Sequence, residues 1–239
     1  MDRAAVEPDA LAELRARAEE RLRQCARLIE AGVRIIDPAT AYVQPGVAVG
    51  SGTVIHPNTT ISGDTVIGER CRIGPNTVIS DSRLGSEVAV VASVVERAVL
   101  EDGCDVGPFS HLRPGAHLET GVHVGNFVEI KASRLGRGTK VGHFSYLGDA
   151  RVGAGVNIGA GTVTCNYDGE KKNETVIEDD AFIGSDTMLV APVQVGRGAS
   201  TGAGAVVTRD VPAGAVVAGV PARPVTRRRS RGQVQKQVG

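Results

Sequence analysis

The chain has 239 residues and 41% hydrophobic content, enough to bury a core, but only 3% of its residues are aromatic and none is tryptophan. Lysine and arginine together number 27, as do aspartate and glutamate, and this balance gives no support for a general nucleic-acid or membrane-surface role. Glycine numbers 31. Short aliphatic layers joined by glycine-rich corners would account for this composition.

The four cysteines show no metal or redox pattern. Cys25, Cys71, Cys104 and Cys165 are widely spaced, and no pair has C-x-x-C spacing. The N-terminal segment is charged and lacks the apolar core of a signal peptide. No stretch approaches the roughly 20 apolar residues of a membrane span. We therefore expect a cytoplasmic protein with reduced thiols and no membrane partner.

Residues 8–31 are predicted to form an amphipathic helix. Apolar side chains recur at steps of three and four residues, with arginine and glutamate on the other face: Leu11, Leu14, Ala18, Leu22, Cys25 and Ile29. Asp9 is the expected N-cap and Gly32 the expected stop. We expect the helix to cover one end of a repeat domain, because solenoid ends need capping. A role in oligomerisation is the alternative.

An aliphatic residue then returns every six positions, a period that neither a helix nor a simple strand alternation selects. A six-residue repeat predicts a parallel β-helix, an all-β fold. The first run is Val43, Val49, Ile55, Ile61, Ile67, Ile73 and Ile79, and the second is Val94, Leu100, Val106, Leu112, Leu118, Val124 and Ile130. The repeat continues through Leu135, Val141, Leu147, Val152, Ile158, Ile177, Ile183, Leu189 and Val195.

The positions between the aliphatic residues predict the corners of the coils. Glycines recur there, and we expect turns that need left-handed backbone angles at Gly50, Gly68, Gly74, Gly85, Gly136, Gly142, Gly153, Gly159, Gly184 and Gly196. Three faces make one coil, so residues about 18 apart should stack. The step shortens by one residue before Leu84, Leu135 and Val152. The polar residues 165–176 interrupt the repeat and should leave the stack as a loop, where function tends to lie.

The C-terminal segment is rich in arginine, with Arg227, Arg228, Arg229 and Arg231. A flexible, solvated tail is favoured over an anionic-surface patch. We therefore expect three parts: a helical cap and linker over residues 1–36, a β-helix domain over residues 37–222, and a basic tail over residues 223–239.

Four segments carry a specific resemblance: FSHLRPG at 109–115, VGNFVEIKASRLGRGTKVGHFSYLGDA at 124–150, NIGAGTVTCNYDGEKK at 157–172 and IGSDTMLVAPV at 183–193. They resemble the acetyltransferase domain of the bifunctional N-acetylglucosamine-1-phosphate uridyltransferase/glucosamine-1-phosphate acetyltransferase family. The resemblance implies a left-handed β-helix prism that assembles as a homotrimer with active sites between subunits. It implies acetyl transfer from acetyl-CoA to the amine of glucosamine 1-phosphate, without a metal. The product would serve UDP-N-acetylglucosamine and cell-envelope (peptidoglycan and lipopolysaccharide) biosynthesis.

The resemblance also implies roles for individual side chains. His143 matches the family's general base, a role that suits imidazole because it titrates at about pH 6.5 in model compounds. The matches to sugar-phosphate contacts are Arg113, Lys131, Tyr146, Asn157 and Lys172. The matches to coenzyme A contacts are Ala160, Asn166, Tyr167, Ser185 and Ala203, and Arg223 in GVPARPV is expected to contact the coenzyme's phosphates.

The sequence departs from the family before the helix, where no nucleotide-binding segment precedes it. We therefore expect this chain to lack the uridyltransfer reaction, and whether a separate uridyltransferase is a partner stays open. Two alternatives remain: another amino sugar as acceptor, or a prism that has lost its chemistry. A zinc site built from His111, His117 and His123 is disfavoured. Residues six apart lie on successive faces and diverge, whereas zinc needs ligands that converge at about 2.0–2.1 Å.

Overall fold

The structure, a computed structural model, describes residues 8–225. In this range one helix, α1 (Pro8–Glu30), precedes 31 short strands. In chain order these are β1 Arg34–Ile35, β2 Ala41–Val43, β3 Ala48–Val49, β4 Val54–Ile55, β5 Thr59–Ser62, β6 Val66–Ile67, β7 Arg72–Ile73, β8 Thr77–Ser80, β9 Arg83–Leu84, β10 Ala89–Val90, β11 Val94–Glu96, β12 Val99–Leu100, β13 Asp105–Val106, β14 His111–Leu112, β15 His117–Leu118, β16 His123–Asn126, β17 Glu129–Lys131, β18 Arg134–Leu135, β19 Lys140–His143, β20 Tyr146–Gly148, β21 Ala150–Val152, β22 Asn157–Ile158, β23 Val163–Cys165, β24 Thr175–Ile177, β25 Phe182–Ile183, β26 Met188–Val190, β27 Val193–Val195, β28 Ser200–Thr201, β29 Val206–Val207, β30 Val216–Ala218 and β31 Arg223–Pro224.

Every third strand joins the same sheet, so the chain winds through three sheets once per coil. Sheet A runs from β1 to β28 in steps of three and ends with β30 and β31; sheet B runs from β2 to β29, and sheet C from β3 to β27. Neighbouring strands are parallel except for β30 and β31. Pairing joins residues 18 apart at Ile61 and Ile79, and 16 apart at Val90 and Val106. This topology confirms the predicted parallel β-helix.

The interior is filled by about one aliphatic side chain per strand. Most of the predicted positions are buried, with Ile55, Ile61, Leu112 and Ile130 fully so. Two of the predicted positions differ. Val49 is only half-buried, and the second run begins at Val95 rather than Val94, whose side chain points outward on β11.

The error at Val94 has a simple cause. Two adjacent valines are indistinguishable in sequence, and the chain takes two consecutive five-residue steps, from Val90 to Val95 and from Val95 to Leu100. Counting back six residues from Leu100 therefore selects Val94 instead of Val95. Neighbouring residues on a strand point to opposite faces, so an error of one residue exchanges a buried side chain for an outward one.

The prediction that the recurring glycines adopt left-handed backbone angles is mostly wrong. Of the ten predicted glycines, only Gly74 has a positive φ. Gly50, Gly68 and Gly136 have ordinary backbone angles, but a Cβ at each would lie 2.5–2.6 Å from the backbone of the next coil. These glycines therefore allow close stacking of coils. The left-handed corner positions are occupied by other glycines and by fourteen non-glycine residues.

Helix α1 lies at the N-terminal end of the solenoid. Cys25 and Leu28 are buried with the aliphatic core, as expected for a cap, whereas most of the predicted apolar stripe remains exposed: Leu11, Leu14, Leu22 and Ile29. Asp9 lies inside the helix, whose first described residue is Pro8, so it is not the N-cap. Gly32 ends the helix with a φ of +88°. Among the described residues no helix is long and apolar enough to cross a membrane.

Two features break the regular winding. The chain leaves the stack between β23 and β24, over residues 166–174, and the register across this loop joins Val152 to Ile177, 25 residues apart. The predicted loop is therefore confirmed. At the C-terminal end, Arg223 lies on β31, which pairs with β30. The four arginines predicted for the tail lie outside the described residues.

Candidate active site

A line of five residues runs parallel to the solenoid axis at the corner between sheets A and B. We call Asn126, His143, Ala160, Ser185 and Ala203 the corner column. Backbone hydrogen bonds hold the column together. In each coil after the first, the residue that follows the column residue donates its N–H to the carbonyl oxygen of the column residue one coil earlier. The four N···O distances are 3.1, 3.2, 2.6 and 2.8 Å, in chain order. The predicted base thus shares one column with three predicted coenzyme contacts, spread over about 14 Å at the ordinary strand spacing.

The character of this corner changes at His143. Phe109, Phe127 and Phe144 occupy the adjoining position in three successive coils, and their exposed rings stack with centroids 5.5 and 5.2 Å apart. In the next coil the adjoining position is Gly161. A wall of aromatic rings therefore flanks His143 on one side, and small side chains follow it on the other.

His143 itself is exposed at the end of β19. Its Nδ1 atom faces Oδ1 of Asn126 in the preceding coil, and the hydroxyl of Ser145 donates to its backbone carbonyl at 2.9 Å. These contacts leave Nε2 directed away from Asn126. Asn126 was not selected from the sequence, although it lies within the NFVEIK segment.

Arg113, Lys131 and Tyr146 lie together on the outer surface of sheet B. Strands β14, β17 and β20 are neighbours, and Tyr146 pairs with Glu129 while Lys131 pairs with Gly148. Nη1 of Arg113 donates to Oε1 of Glu129 at 2.7 Å, and this hydrogen bond raises the pKa of Arg113. The surface thus presents two cations and a hydroxyl. Glu129, which orients Arg113, was missed by the sequence reasoning.

Asn166 lies at the edge of the same surface and is almost fully buried. Its Nδ2 donates to Oδ2 of Asp149, which sits at a corner with a φ of +50°. A Cβ at position 148 would lie 2.3 Å from Oη of Tyr146 and 2.6 Å from Nδ2 of Asn166. Gly148 therefore lets these two functional groups approach each other, and neither Gly148 nor Asp149 was singled out from the sequence.

The loop over residues 166–174 carries Tyr167 and Lys172, which face each other across an antiparallel bridge. Asp168 holds the loop together: its carboxylate accepts backbone N–H bonds from Lys171 at 2.8 Å and Glu170 at 2.9 Å. These bonds and one from the Asn173 side chain lower the pKa of Asp168 to about 2. The loop is thus internally ordered by a solvent-exposed carboxylate.

The five predicted sugar-phosphate residues do not meet within one chain. Arg113, Lys131 and Tyr146 lie on sheet B, but Asn157 is on β22 of sheet A. Lys172 borders an open cleft lined also by Arg134 and Arg151 of sheet C. Asn157 therefore lies on a different face from Arg113 and Lys131, whereas Lys172 lies on the loop at the corner between sheets B and C.

Arg223 is likewise apart from the corner column. It lies on the antiparallel strand β31, and its guanidinium donates to the carbonyl of the adjacent Ala222 at 2.9 Å. Its predicted contact with coenzyme phosphates stays a prediction.

The zinc alternative has no geometric basis within the chain. His111, His117 and His123 lie on β14, β15 and β16, one in each sheet. Each contacts a carboxylate of the preceding coil, at 2.8, 2.9 and 2.6 Å respectively. Within residues 8–225 no group of three or more histidine, cysteine, aspartate or glutamate side chains is placed to hold a metal ion.

Comparison with known proteins agrees with the fold. The family model described as "Bacterial transferase hexapeptide (six repeats)" matches residues 46–81 and 174–209. The bifunctional protein GlmU of Carboxydothermus hydrogenoformans is 56% identical over 190 residues, covering 80% of this chain and 43% of that protein. GlmU of Heliobacterium modesticaldum is 56% identical over 206 residues, covering 86% of this chain and 44% of that protein.

A solved structure of Arabidopsis UDP-N-acetylglucosamine acyltransferase has a TM-score of 0.60 at 18% identity, covering 78% of this chain and 72% of that one, and so supports the fold alone. The chain spans less than half the length of the GlmU relatives, and the match fits their C-terminal part. From the repeats, the coils and these matches together, the chain belongs to the hexapeptide-repeat transferase family.

Proposed function

We propose that this chain transfers the acetyl group of acetyl-CoA to the amine of glucosamine 1-phosphate, giving N-acetylglucosamine 1-phosphate. The observation that carries the proposal is the corner column, in which His143 is followed by small residues along the axis, beside the cationic surface of sheet B. The identity of 56% to GlmU proteins in this region supports the same reaction. The cytoplasm, where acetyl-CoA is made and used, is the proposed location.

The corner column fits the narrow pantetheine arm of coenzyme A. Beyond His143 its side chains are no larger than serine, and small residues let a thin ligand approach the backbone closely. Ala160, Ser185 and Ala203 would hold the arm, with Tyr167 and Asn166 at the loop beside it. Acetyl-CoA supplies an acyl group activated as a thioester.

His143 supplies the proton transfer. Its Nε2 takes the proton that the acceptor amine loses as the new C–N bond forms, and the imidazolium then returns a proton to the leaving thiolate. A positioned general base contributes about 10²–10⁴-fold to the rate. Asn166, held by Asp149, would orient the reacting groups through its amide.

The cationic surface of sheet B would hold the sugar phosphate. Arg113 offers a planar fork of donors and Lys131 a compact charge, both suited to a phosphate dianion. Glu129 fixes the orientation of Arg113, and Tyr146 would donate its hydroxyl to the sugar. The arrangement therefore suits an acceptor with a phosphate close to an amine.

We further propose that a complete site forms between copies in a homotrimer. Asn157 lies on sheet A, a face other than that of Arg113 and Lys131 on sheet B. Residues from different faces can converge only if a second copy brings its own face to the first. A closed ring of three copies would repeat that contact and build three sites.

The proposal assigns only acetyl transfer. Conversion of the product to a uridine diphosphate sugar would need a uridyltransferase in addition to the residues described here.

The first experiment measures coenzyme A release with glucosamine 1-phosphate, glucosamine 6-phosphate and serine as acceptors. We expect turnover with glucosamine 1-phosphate, reduced at least about 10²-fold in His143→Ala. Release with none of the three acceptors would favour an inactive scaffold, and preference for another amine would overturn the substrate.

A mixing experiment tests the site between copies. We expect His143→Ala and Asn157→Ala chains to be inactive alone. Random mixed trimers should recover about one quarter of wild-type activity, since each mixed trimer has one interface with both residues intact. Recovery to no more than background would place both residues of a site on the same chain.

A further inference from the structure

The contact between His143 and Asn126 differs from those of three other histidines in the same region. His111, His117 and His123 each contact a carboxylate, whereas His143 faces the amide oxygen of Asn126 through Nδ1. Asn126 and His143 are direct partners in the pairing of β16 with β19. Their relative position is therefore set by the backbone of two adjacent coils.

An amide oxygen accepts a hydrogen bond and cannot donate one. Facing Nδ1, it favours the neutral tautomer in which Nδ1 carries the proton and Nε2 keeps its lone pair. A free histidine side chain prefers the opposite tautomer, with the proton on Nε2. We propose that Asn126 is a positioning residue that holds His143 as the Nδ1–H tautomer, so that Nε2 is available to accept a proton.

The amide has a second consequence, because it carries no charge. The carboxylate of Asp105 contacts Nδ1 of His123 one coil earlier on the same sheet, so a negative charge lies beside that ring. Asn126 orients His143 without placing a negative charge beside the ring. The column neighbours Asn126 and Ala160 are uncharged. The charged or titratable groups on the strands packed around His143 are His123 on β16, Lys140 on β19, and Glu129, Lys131 and Tyr146 on sheet B.

The tautomer can be read directly from the free protein. Long-range ¹H–¹⁵N spectra of the full chain labelled with ¹⁵N-histidine, recorded above pH 8, distinguish a protonated ring nitrogen from an unprotonated one. The signals of His143 are identified by their loss in His143→Gln. We expect a protonated Nδ1 and an unprotonated Nε2 in the wild type, with a shift towards the Nε2–H tautomer in Asn126→Ala.

Kinetics test the consequence for catalysis. Asn126→Ala should lower kcat by roughly 10- to 100-fold with little change in KM, less than the loss expected for removing the base itself. Asn126→Asp keeps an acceptor oxygen but adds a charge that favours imidazolium, so the acid limb of the pH–rate profile should move upward by about one pH unit. Asp105→Asn is the matched control: it should change the signals of His123 only and leave the pH–rate profile unchanged.

The inference rests on the proposed function only where Nε2 acts as the base. If the wild type shows the expected tautomer but no acetyl transfer, the positioning by Asn126 stands and the proposed reaction fails. If acetyl transfer is observed but His143 is protonated on Nε2, or keeps its tautomer in Asn126→Ala, the positioning role is wrong. A lowered melting temperature in Asn126→Ala with unchanged tautomer and pH–rate profile would also overturn it.

Discussion

Gly148 provides a sharp test of the geometry around Tyr146. A methyl group at this position would lie 2.3 Å from Oη and 2.7 Å from Cζ of Tyr146, and 2.6 Å from Nδ2 of Asn166. Ordinary contacts between such atoms begin at about 3.5 Å. In Gly148→Ala the Tyr146 hydroxyl must therefore move by about 1 Å, and Asn166, held by Asp149, has little room to move with it.

The expected effect is larger on activity than on stability. A misplacement of about 1 Å in a reacting assembly can cost about 10²-fold in rate, which corresponds to about 2.7 kcal/mol of transition-state stabilisation. Residue 148 lies outside the left-handed backbone region, so alanine introduces no backbone strain there. Overpacking costs about 1–3 kcal/mol, and replacing a strand glycine by alanine offsets up to about 1 kcal/mol of this.

The assay is steady-state coenzyme A release with glucosamine 1-phosphate, accompanied by thermal unfolding. Gly142→Ala is the stability control, because a Cβ there meets no atom within 4 Å, and it should melt like the wild type. If Gly148→Ala acts by displacing Tyr146, then Tyr146→Phe should cost less in the Gly148→Ala background than in the wild type. Wild-type kcat/KM in Gly148→Ala, or strictly additive losses in the double variant, would refute the reasoning.

Two further predictions concern the scaffold and the loop. Ile130 is fully buried, so Ile130→Ala should lower the free energy of unfolding by about 2–5 kcal/mol in urea titrations. Val99 is exposed, so Val99→Ala should change this free energy by less than about 0.5 kcal/mol. Similar losses for both variants would contradict the assigned core. The loop's backbone amides bond to ionised Asp168, whose pKa is lowered to about 2. This stabilisation is present above the carboxyl's ordinary pKa, which is near 4, and is lost as pH falls towards 2. Amide exchange corrected for intrinsic rates should therefore show protected Glu170 and Lys171 at pH 5 and exposed ones near pH 2. Asp168→Ala, which removes the acceptor oxygen, should expose them at pH 7.

The repeat was predictable because about one side chain per strand is buried in the interior and must be apolar. Ile55, Leu112 and Ile130 stand at positions where an apolar side chain has no alternative but the interior, and the six-residue count finds them. The count fails at Val94 because the neighbouring Val95 has the same chemistry. It also could not tell glycines that allow close stacking from glycines with unusual backbone angles, since both recur near the corners.

The candidate site was predicted through resemblance and only in part. Matching motifs selected His143, Arg113 and Lys131, but pairs that form between coils were not visible in one dimension. Asn126 meets His143 across 17 residues, and Asp149 meets Asn166 across the same separation. Such pairs depend on how the strands of successive coils are aligned. The five-residue steps in the repeat change that alignment locally. The sequence therefore indicates which residues are chemically suited, and the coil geometry shows which of them lie next to each other.

The winding of the chain also limits how such a molecule can change in size. Each coil contacts only the coil before it and the coil after it. Ile61 and Ile79 are paired, so residues 62–79 make one whole coil of 18 residues. Removing or inserting such a coil would leave every remaining strand with a partner of the same kind. Related chains can therefore grow taller or shorter at the N-terminal end while the surface around His143 keeps its form. An insertion that does not complete a coil must leave the stack sideways, as the loop before β24 does.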